Sequence, residues 1–289
     1  MNIKIFKEYA AIRLKDQYEA PALQLFISSL LDGIASIPGY WYYTHEDYLL
    51  GPEELRPLMI AVDQAAAGRP LQYILGQVTF GGCQIQVDER VLIPRPETEQ
   101  LWQMAVSFAN GTVLDACTGS GCLAIALKNA VPHTSVFAFD NNYDVLEVAK
   151  KNALLNTTNV RFFQADLSDT EGMSTAANRM GLTGGVVNLL VSNPPYVTEK
   201  EKEHMKHHVL IFEPDEALFV PNEDPLVHYR HLADVGKHFL RPQGVLLVEI
   251  NEAYGEELCR LFEQKGYTQI QLHKDFHGKD RFIRARREL

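Results

Sequence analysis

The spacing of apolar residues changes along the chain, from a helical period in the first 75 residues to short apolar runs further on. Apolar residues recur at intervals of three and four at Leu23, Phe26, Ile27, Leu30 and Leu31. Such spacing places them on one face of a helix. The breaks at Pro38-Gly39 and Gly51-Pro52 separate further helical segments. The pattern predicts a small N-terminal helical domain over residues 1–75.

Apolar and polar residues alternate in the segment that follows, residues 76–96. Ile85 and Val87 precede the turn-like run Asp88-Glu89-Arg90, and Val91 and Ile93 follow it. Alternation on both sides of a turn is typical of a β-hairpin. We therefore expect a hairpin that turns at residues 88–90 and links the helical domain to the rest of the chain.

From residue 111 onward, short β-rich runs alternate with amphipathic helices. The runs are TVLDAC (112–117), SVFAFD (135–140), VRFFQAD (160–166), VVNLLVS (186–192) and GVLLVEI (244–250). This alternation predicts an α/β domain over residues 97–289, with a doubly wound, mostly parallel sheet. Two further runs, TQIQLHKD and RFIRARRE, have no helix between them, so the last strand is expected to be antiparallel.

Composition and charge narrow the class of protein. The formal net charge of -10 and the pI of about 5.5 argue against a protein that coats nucleic acid, because non-specific affinity for phosphates comes from Lys and Arg. The four cysteines form no CxxC pair, and the first residues lack the apolar core of a signal peptide. We expect a cytoplasmic protein that is reduced and not inserted in a membrane.

The carboxyl end of the first predicted strand carries a glycine loop, Cys117-Thr118-Gly119-Ser120-Gly121. Sheets of this kind bind ligands at the carboxyl ends of their strands. The loop has neither the three glycines of a dinucleotide site nor the Gly-Lys-Ser/Thr of a triphosphate site, so a nucleoside without a phosphate chain fits better. A tight strand-to-helix turn is the structural alternative.

Two carboxylates follow the next two strands and add to this candidate site. Asp140 ends the second strand, where a carboxylate can accept hydrogen bonds from ribose hydroxyls. Asp166 follows the third and could meet an adenine amino group; its alternative role is that of a helix N-cap.

Asn193-Pro194-Pro195-Tyr196 follows the fourth strand. This motif resembles the signature of methyltransferases that use S-adenosylmethionine to modify planar nitrogens, which are poor nucleophiles because their lone pair is delocalised. The Asn193 side-chain oxygen and the Pro194 carbonyl could accept the two N–H groups of the acceptor, and Tyr196 could form a flat wall beside it. Taken alone, the motif is also compatible with a turn after a strand.

Longer strings of residues resemble the peptide-chain release factor glutamine methyltransferases of the HemK/PrmC type. The resemblance begins with RPLQYILG (69–76), continues through VLIPRPETE (91–99), the glycine loop and NPPY (193–196), and extends to FEP (212–214) and DRF (280–282). Within VLIPRPETE, residues 94–98 could otherwise serve only to cap the helix that follows.

The resemblance implies a Rossmann-like class I methyltransferase domain, a helical N-terminal domain that recognises substrate, and a hairpin between them. It also implies methyl transfer from S-adenosylmethionine to the glutamine of the Gly-Gly-Gln motif in class I release factors, which tunes translation termination. Carried over by position, the catalytic residues are Asn193, Pro194 and Tyr196, and Pro195 joins them in binding substrate. The cofactor residues are Cys117, Thr118, Gly119, Ser120, Gly121, Asp140, Asp166, Leu167 and Asn193.

The chain departs from the family pattern in two places, and other substrates stay open. Cys117 stands where many members have a glycine, and residues 220–226 replace a glycine-rich stretch. A ribosomal protein glutamine and an adenine N6 of nucleic acid are the alternative acceptors, the latter disfavoured by the acidic composition. The histidines at 204, 207, 208, 273 and 277 lack a neighbouring carboxylate motif, so we expect no metal site.

Overall fold

The structure, a computed structural model, describes residues 1–288, which form two compact units. One unit comprises Met1–Gln77 and Lys206–Phe212; the other comprises Val78–Met205 and the residues from Glu213 onward. The domain boundaries expected after residues 75 and 96 stay predictions. Within the described residues, no helix has both the length and the apolar character that a membrane crossing requires.

The first unit is helical. Numbered along the chain, its helices are α1 (Ile3–Leu14), α2 (Ala20–Gly33), α3 (Trp41–Thr44), α4 (Pro52–Ala66), α5 (Leu71–Leu75) and α10 (His207–Phe212). The Asn2 side chain caps α1 by accepting a hydrogen bond from the Ile5 N–H over 2.9 Å. Phe6, Phe26 and Leu30 are fully buried in its core, as the helical spacing of apolar residues predicts.

The hairpin exists, but its predicted turn is wrong. Strands β1 (Gln77–Phe80) and β2 (Cys83–Gln86) are joined at Gly81-Gly82 and not at residues 88–90. Both glycines have positive φ, 54° and 76°, which a two-residue hairpin turn of type I′ requires. The Gly-Gly pair was the stronger signal, because residues 88–90 have no such conformational freedom and only form a later turn.

The second unit alternates strands and helices. Its main strands are β3 (Thr112–Ala116), β4 (Ser135–Asp140), β5 (Val160–Gln164), β6 (Val187–Ser192), β9 (Leu240–Glu249), β10 (Tyr267–Lys274) and β11 (Asp280–Arg287). A separate two-residue pair is formed by β7 (Val197–Thr198) and β8 (Phe219–Val220). Its helices are α6 (Pro96–Val106), α7 (Cys122–Ala130), α8 (Tyr143–Leu155), α9 (Thr170–Arg179), α11 (Val227–Phe239) and α12 (Gly255–Gln264).

The seven main strands form one sheet in the order β10-β11-β9-β6-β3-β4-β5. The five strands from β9 to β5 in this order are mutually parallel, and β11 is antiparallel to both of its neighbours. The prediction of a mostly parallel sheet with an antiparallel last strand is therefore confirmed. The strand order reverses between β3 and β6, and ligands of such sheets bind at the carboxyl ends of the strands beside a reversal.

Two asparagines, one in α8 and one at its C-cap, attach the hairpin to the main sheet of the second unit. Asn152 exchanges hydrogen bonds with the backbone of Gln86 over 2.7 and 3.0 Å, and Asn156 does the same with Gln84 over 3.0 and 2.7 Å. The two asparagines lie four residues apart and therefore on one helix face. Asn152 also donates to the carbonyl of Ser120, which connects the hairpin to the glycine loop.

Candidate functional site

A cavity of about 460 Å³ lies at the carboxyl ends of the parallel strands. Its volume is within the range of sites for small molecules and cofactors. The sequence-predicted residues that line it are Cys117, Thr118, Gly119, Ser120, Asp140, Asp166, Leu167, Asn193 and Pro195. Gly121, Pro194 and Tyr196 are not part of its lining. The fold thus brings together nine predicted residues from the ends of four strands.

The glycine loop bends sharply between β3 and α7. Cys117, Gly119 and Gly121 all have positive φ, at 57°, 55° and 80°. A side chain placed on Gly119 would meet no atom within 4 Å, so the backbone there borders open space. At Gly121 an added Cβ would lie 3.1 Å from Ala149, because α7 and α8 pack closely. An open backbone beside a cavity is the feature that lets a nucleoside approach the loop.

Asp140 and Asp166 present carboxylates to the same cavity. Asp140 Oδ2 accepts a hydrogen bond from the Gly119 N–H over 3.0 Å, while burial raises the pKa of this carboxyl group. Asp166 Oδ1 accepts from the backbone and hydroxyl of Ser168, and these bonds lower the pKa of Asp166. Both carboxylates keep lone pairs for hydroxyl or amino donors, so the residues present fit the nucleoside part of a cofactor.

The alternative role of Asp166 as a helix N-cap is wrong. The N-cap of α9 is Asp169, whose Oδ1 accepts a hydrogen bond from the Gly172 N–H over 2.9 Å. Asp166 lies three residues earlier, is exposed, and directly precedes a turn at residues 167–168. Its carboxylate is therefore not engaged with the helix terminus.

Residues 193–196 follow β6 directly. Asn193 and Pro195 border the cavity, whereas Pro194 is buried behind it. The Tyr196 ring packs against the sheet core, and its hydroxyl donates to Glu249 Oε1 over 3.0 Å. The Tyr196 ring does not line the cavity, and its role as a wall for the acceptor stays a prediction.

Two acceptors of this segment have no protein donor. Among residues 1–288, no N–H or O–H donates to the Asn193 Oδ1 atom or to the Pro194 carbonyl. The same segment supplies the acceptors predicted to hold a substrate NH₂ group, and they are available in the fold.

Two residues that the sequence did not identify as functional hold Asn193: Thr98, which also borders the cavity, and Glu249. Asn193 Nδ2 donates to Thr98 Oγ1 over 3.0 Å, and Thr98 Oγ1 donates to Glu249 Oε2 over 2.8 Å. We call Asn193, Thr98, Glu249 and Tyr196 the Asn193 relay. Glu249 is fully buried at the end of β9, and Thr98 is 3% exposed.

Burial dominates the electrostatics of Glu249. It raises the pKa of the carboxyl group to about 7, while the hydrogen bonds from Thr98 and Tyr196 and the charge of Arg281 lower it. Burial and the Glu249 carboxylate also raise the pKa of Tyr196, so this hydroxyl stays a donor. A glutamate at the end of an apolar strand was the only sequence signal for this residue.

The string PRPETE (94–99) connects three parts of the second unit. Arg95 Nη2 lies 2.6 Å from Glu213 Oε1, the Thr98 hydroxyl bonds to Glu249, and Glu99 accepts from the Gly81 N–H over 3.0 Å. Pro96 starts α6, as the capping alternative required, but the neighbouring side chains bond to other elements. Capping alone therefore does not account for this string.

Two further lining residues were missed. His228 and His231 lie three residues apart on α11 and border the cavity near Asp166. Burial and the proximity of His231 lower the pKa of His228, which favours a neutral ring in the cavity. Their spacing on one helix face was visible in the sequence, but nothing in the sequence indicated which face meets the cavity.

The thiols and carboxylates of the site do not form a metal centre or an activated nucleophile. No group of three or more His, Cys, Asp or Glu side chains within residues 1–288 is arranged to hold a metal ion. Burial raises the pKa of Cys122 to about 12 and raises that of Cys117 further. A thiol that stays protonated is a poor nucleophile.

Comparison with known proteins identifies the family. The model of the family "Methyltransferase small domain" matches residues 97–233. The release factor glutamine methyltransferase of Bacteroides thetaiotaomicron is 37% identical over 96% of this chain and 98% of its own length. That of Flavobacterium psychrophilum is 33% identical over 99% of both. The chain belongs to the release factor glutamine methyltransferase family.

The predicted family and fold are thereby confirmed. A solved methyltransferase structure from Pyrococcus furiosus superimposes with a TM-score of 0.50 at 16% identity, covering 72% of this chain and 90% of that one. At this level of identity the likeness concerns the fold alone, a Rossmann-like methyltransferase sheet. Membership in the release factor glutamine methyltransferase family rests on the two relatives, which match over nearly the whole chain.

Proposed function

We propose that the protein transfers a methyl group from S-adenosylmethionine to the side-chain nitrogen of the glutamine in the Gly-Gly-Gln motif of class I release factors. The observation that carries this proposal is that two neighbouring acceptors have no protein donor: Asn193 Oδ1, on a residue that borders a cavity suited to a nucleoside, and the carbonyl of Pro194, the next residue. A primary amide has two N–H groups, and the two acceptors match that number. Family membership adds the class of substrate.

The glycine loop and the two carboxylates would hold the cofactor. Cys117, Thr118, Gly119 and Ser120 border the cavity, and Gly121 follows them. Asp140 would accept hydrogen bonds from the ribose hydroxyls, and Asp166, with Leu167, would meet the adenine. Asn193 lies between this region and the substrate side. When bound, S-adenosylmethionine supplies the electrophilic methyl group of a sulfonium.

Catalysis by this site rests on positioning. Asn193 Oδ1 and the Pro194 carbonyl accept the two N–H groups, which fixes the amide nitrogen with its lone pair toward the methyl carbon. The same acceptors stabilise the positive charge that develops on the nitrogen. Bound S-adenosylmethionine would supply the methyl group and keep the electron pair of its carbon–sulfur bond, and one N–H proton of the amide would leave to water. The rigid φ angles of Pro194 and Pro195 keep the carbonyl direction fixed.

The remaining functional expectations stay part of this proposal. The N-terminal helical unit would recognise the release factor, the hairpin would link it to the methyltransferase domain, and the reaction would take place in the cytoplasm. Pro195, which borders the cavity, and Tyr196, the next residue, would contact the substrate glutamine.

Mass spectrometry of the Gly-Gly-Gln peptide tests the function. A class I release factor is incubated with the protein and S-adenosylmethionine, and the peptide is expected to gain one methyl group on the glutamine. Asn193→Ala should lower the rate roughly 100- to 1,000-fold, as removal of a charge-stabilising group at a reacting centre does. Cofactor binding is followed in parallel by calorimetry.

The matched control is Asn188→Ala, on strand β6, which Asn193 follows. Asn188 Oδ1 accepts from the Thr112 N–H and lies outside the cavity, so its loss should leave the methylation rate unchanged. An unmethylated peptide in the presence of bound cofactor would contradict the proposed substrate and direct the assay to ribosomal protein and then to nucleic acid. A normal rate for folded Asn193→Ala would contradict the proposed role of this amide.

A further inference from the structure

The two ends of an asparagine side chain differ in chemistry, and only one of them suits the proposed substrate. The oxygen accepts hydrogen bonds, whereas the nitrogen donates two. A rotation of the carboxamide by 180° would present an NH₂ group to a substrate NH₂ group and abolish the interaction. Something in the fold must therefore select the orientation of Asn193.

The number of hydrogen-bond donors and acceptors in the Asn193 relay provides this selection. Ionised Glu249 can only accept, and its two oxygens accept from Tyr196 over 3.0 Å and from Thr98 over 2.8 Å. Thr98 has a single hydroxyl proton, and that proton is used toward Glu249. Thr98 Oγ1 can then only accept at its other side, so the group of Asn193 that faces it, 3.0 Å away, must be the NH₂.

We infer that Thr98 and Glu249 are positioning residues that fix the Asn193 carboxamide with its oxygen toward the substrate. The effect of this orientation on catalysis rests on the proposed function, whereas the orientation itself does not. Neither residue needs to touch the reacting atoms. Thr98 acts through Asn193, and Glu249 acts through Thr98.

The surroundings of the relay favour this role over a merely structural one. Thr98 and Glu249 are buried, so water does not compete for their hydrogen bonds. Thr98 lies in the first turn of α6, where its hydroxyl could have bonded to the helix backbone, yet it bonds across to the end of β9. A buried carboxylate with two side-chain donors is costly to keep unless it serves a specific arrangement.

Nuclear magnetic resonance of the Asn193 side chain tests the orientation without substrate. The full-length protein is labelled with ¹⁵N-asparagine, and the Asn193 NH₂ signals are identified by their loss in Asn193→Ala. Thr98→Val keeps the shape of Thr98 but removes the hydroxyl, so the hydrogen-bonded Asn193 proton should shift upfield. Thr98→Ser keeps the hydroxyl and should leave the signal near its wild-type position. Spectra are recorded above pH 8.

Steady-state methylation of the release factor tests the consequence. Thr98→Val should lower kcat roughly 10- to 100-fold, because a reactant group that is no longer held in place loses about that factor. Its effect on KM should be small, and Thr98→Ser should recover most of kcat. Thr134→Val is the matched control, since it removes another buried hydroxyl that donates to Val131, away from the cavity.

The two assays separate failure of this inference from failure of the proposed function. Asn193 signals that stay in place in Thr98→Val, or a kcat that Thr98→Ser fails to restore, overturn the inference. If the wild-type protein does not methylate the release factor, the proposed function fails, and the shift in Thr98→Val still decides whether the relay orients Asn193. An equal loss of kcat in Thr134→Val would show that the loss in Thr98→Val comes from general destabilisation, and it would also overturn the inference.

Discussion

Arg95 and Glu213 form an ion pair at 2.6 Å although they are 118 positions apart in the chain. The Glu213 side chain is 1% exposed and the Arg95 side chain 31% exposed. Glu213 Oε2 also accepts from the Ile93 N–H, so one buried carboxylate holds two points of the segment before α6. The pair thus attaches the segment that carries Thr98 to the segment after α10.

Loss of this ion pair should destabilise the protein. Removal of one partner from a buried pair leaves an uncompensated charge, so Arg95→Ala should lower the free energy of unfolding by about 2–3 kcal/mol, reduced by the partial exposure of Arg95. Urea unfolding of Arg95→Ala, Glu213→Gln and the double variant gives the coupling energy. The exposed pair Asp88–Arg90 is the control, with an expected coupling below about 1 kcal/mol. Equal coupling in both pairs would contradict the prediction.

Stability should depend on the ionisation of Glu249. The pKa of Glu249 is raised from 4.5 to about 7 in the folded protein. The stabilisation of the fold that this shift gives is therefore fully present below pH 4.5 and is lost as the pH rises through 7. At about 1.4 kcal/mol per pH unit between the two pKa values, this amounts to about 3 kcal/mol. The Glu249→Gln variant cannot ionise at this position. Between pH 5 and pH 8 its free energy of unfolding, measured relative to that of the wild type, should therefore increase by up to this amount.

The ionisation of Asp115 should change stability with pH in the same direction as that of Glu249. This buried carboxyl group has its pKa raised to about 7 by burial, against a hydrogen bond from Thr118. Asp115→Asn should therefore also gain stability relative to the wild type as the pH rises. Denaturant titrations at several pH values measure both variants, and a constant difference from the wild type across this range would refute the expected linkage.

The methylation rate should fall on the acidic side of pH 7. Protonated Glu249 can donate a hydrogen bond to Thr98 Oγ1. The Thr98 hydroxyl can then donate its own proton to Asn193 Oδ1, so the relay no longer selects one orientation of the carboxamide. The groups that face Glu249 are Tyr196 and Thr98 as donors, Arg281, which lowers its pKa, and Glu97, which raises it; Tyr229 donates to its backbone carbonyl.

The pH profile of kcat is the measurement. We expect an acidic limb with a midpoint near 7 in the wild type and its absence in Glu249→Gln, because a glutamine does not titrate in this range. His228 also borders the cavity, and Glu249→Gln leaves it in place. An acidic limb that persists in Glu249→Gln would assign it to another group and reject the role of Glu249.

Glycine in place of Cys117 should give a more stable protein than alanine there. The φ of 57° at Cys117 lies in the left-handed region, which costs an L-residue roughly 1–2 kcal/mol relative to glycine. Cys117→Gly and Cys117→Ala both remove the thiol, so the difference between them isolates the backbone strain. Cys117→Gly should be more stable by about 1 kcal/mol in thermal or urea unfolding.

A position inside a helix gives the control with the opposite sign. In α9, Thr175→Ala should be more stable than Thr175→Gly by about 1 kcal/mol, because glycine is unfavourable in a helix interior. The same order at both positions would show that strain at Cys117 does not limit stability.

Much of the site followed from local sequence. Asp140, Asp166 and Asn193 each follow an apolar run, and parallel strands bring their carboxyl ends to one edge of the sheet, so the sequence pattern is sufficient to locate the cavity there. The hairpin turn was also a local property, although Gly81-Gly82 and not residues 88–90 had the conformational freedom for it.

The sequence alone determined the helical or strand period of the main elements and the residues that occupy the ends of the parallel strands, because these depend on neighbours within a few positions. Only the tertiary structure decided which distant side chains meet. Thr98 and Glu249 are separated by 151 positions, and no local pattern indicates that the hydroxyl of one faces the carboxylate of the other. Their pairing and the raised pKa of Glu249 arise from burial between α6 and β9, which exists only in the folded chain.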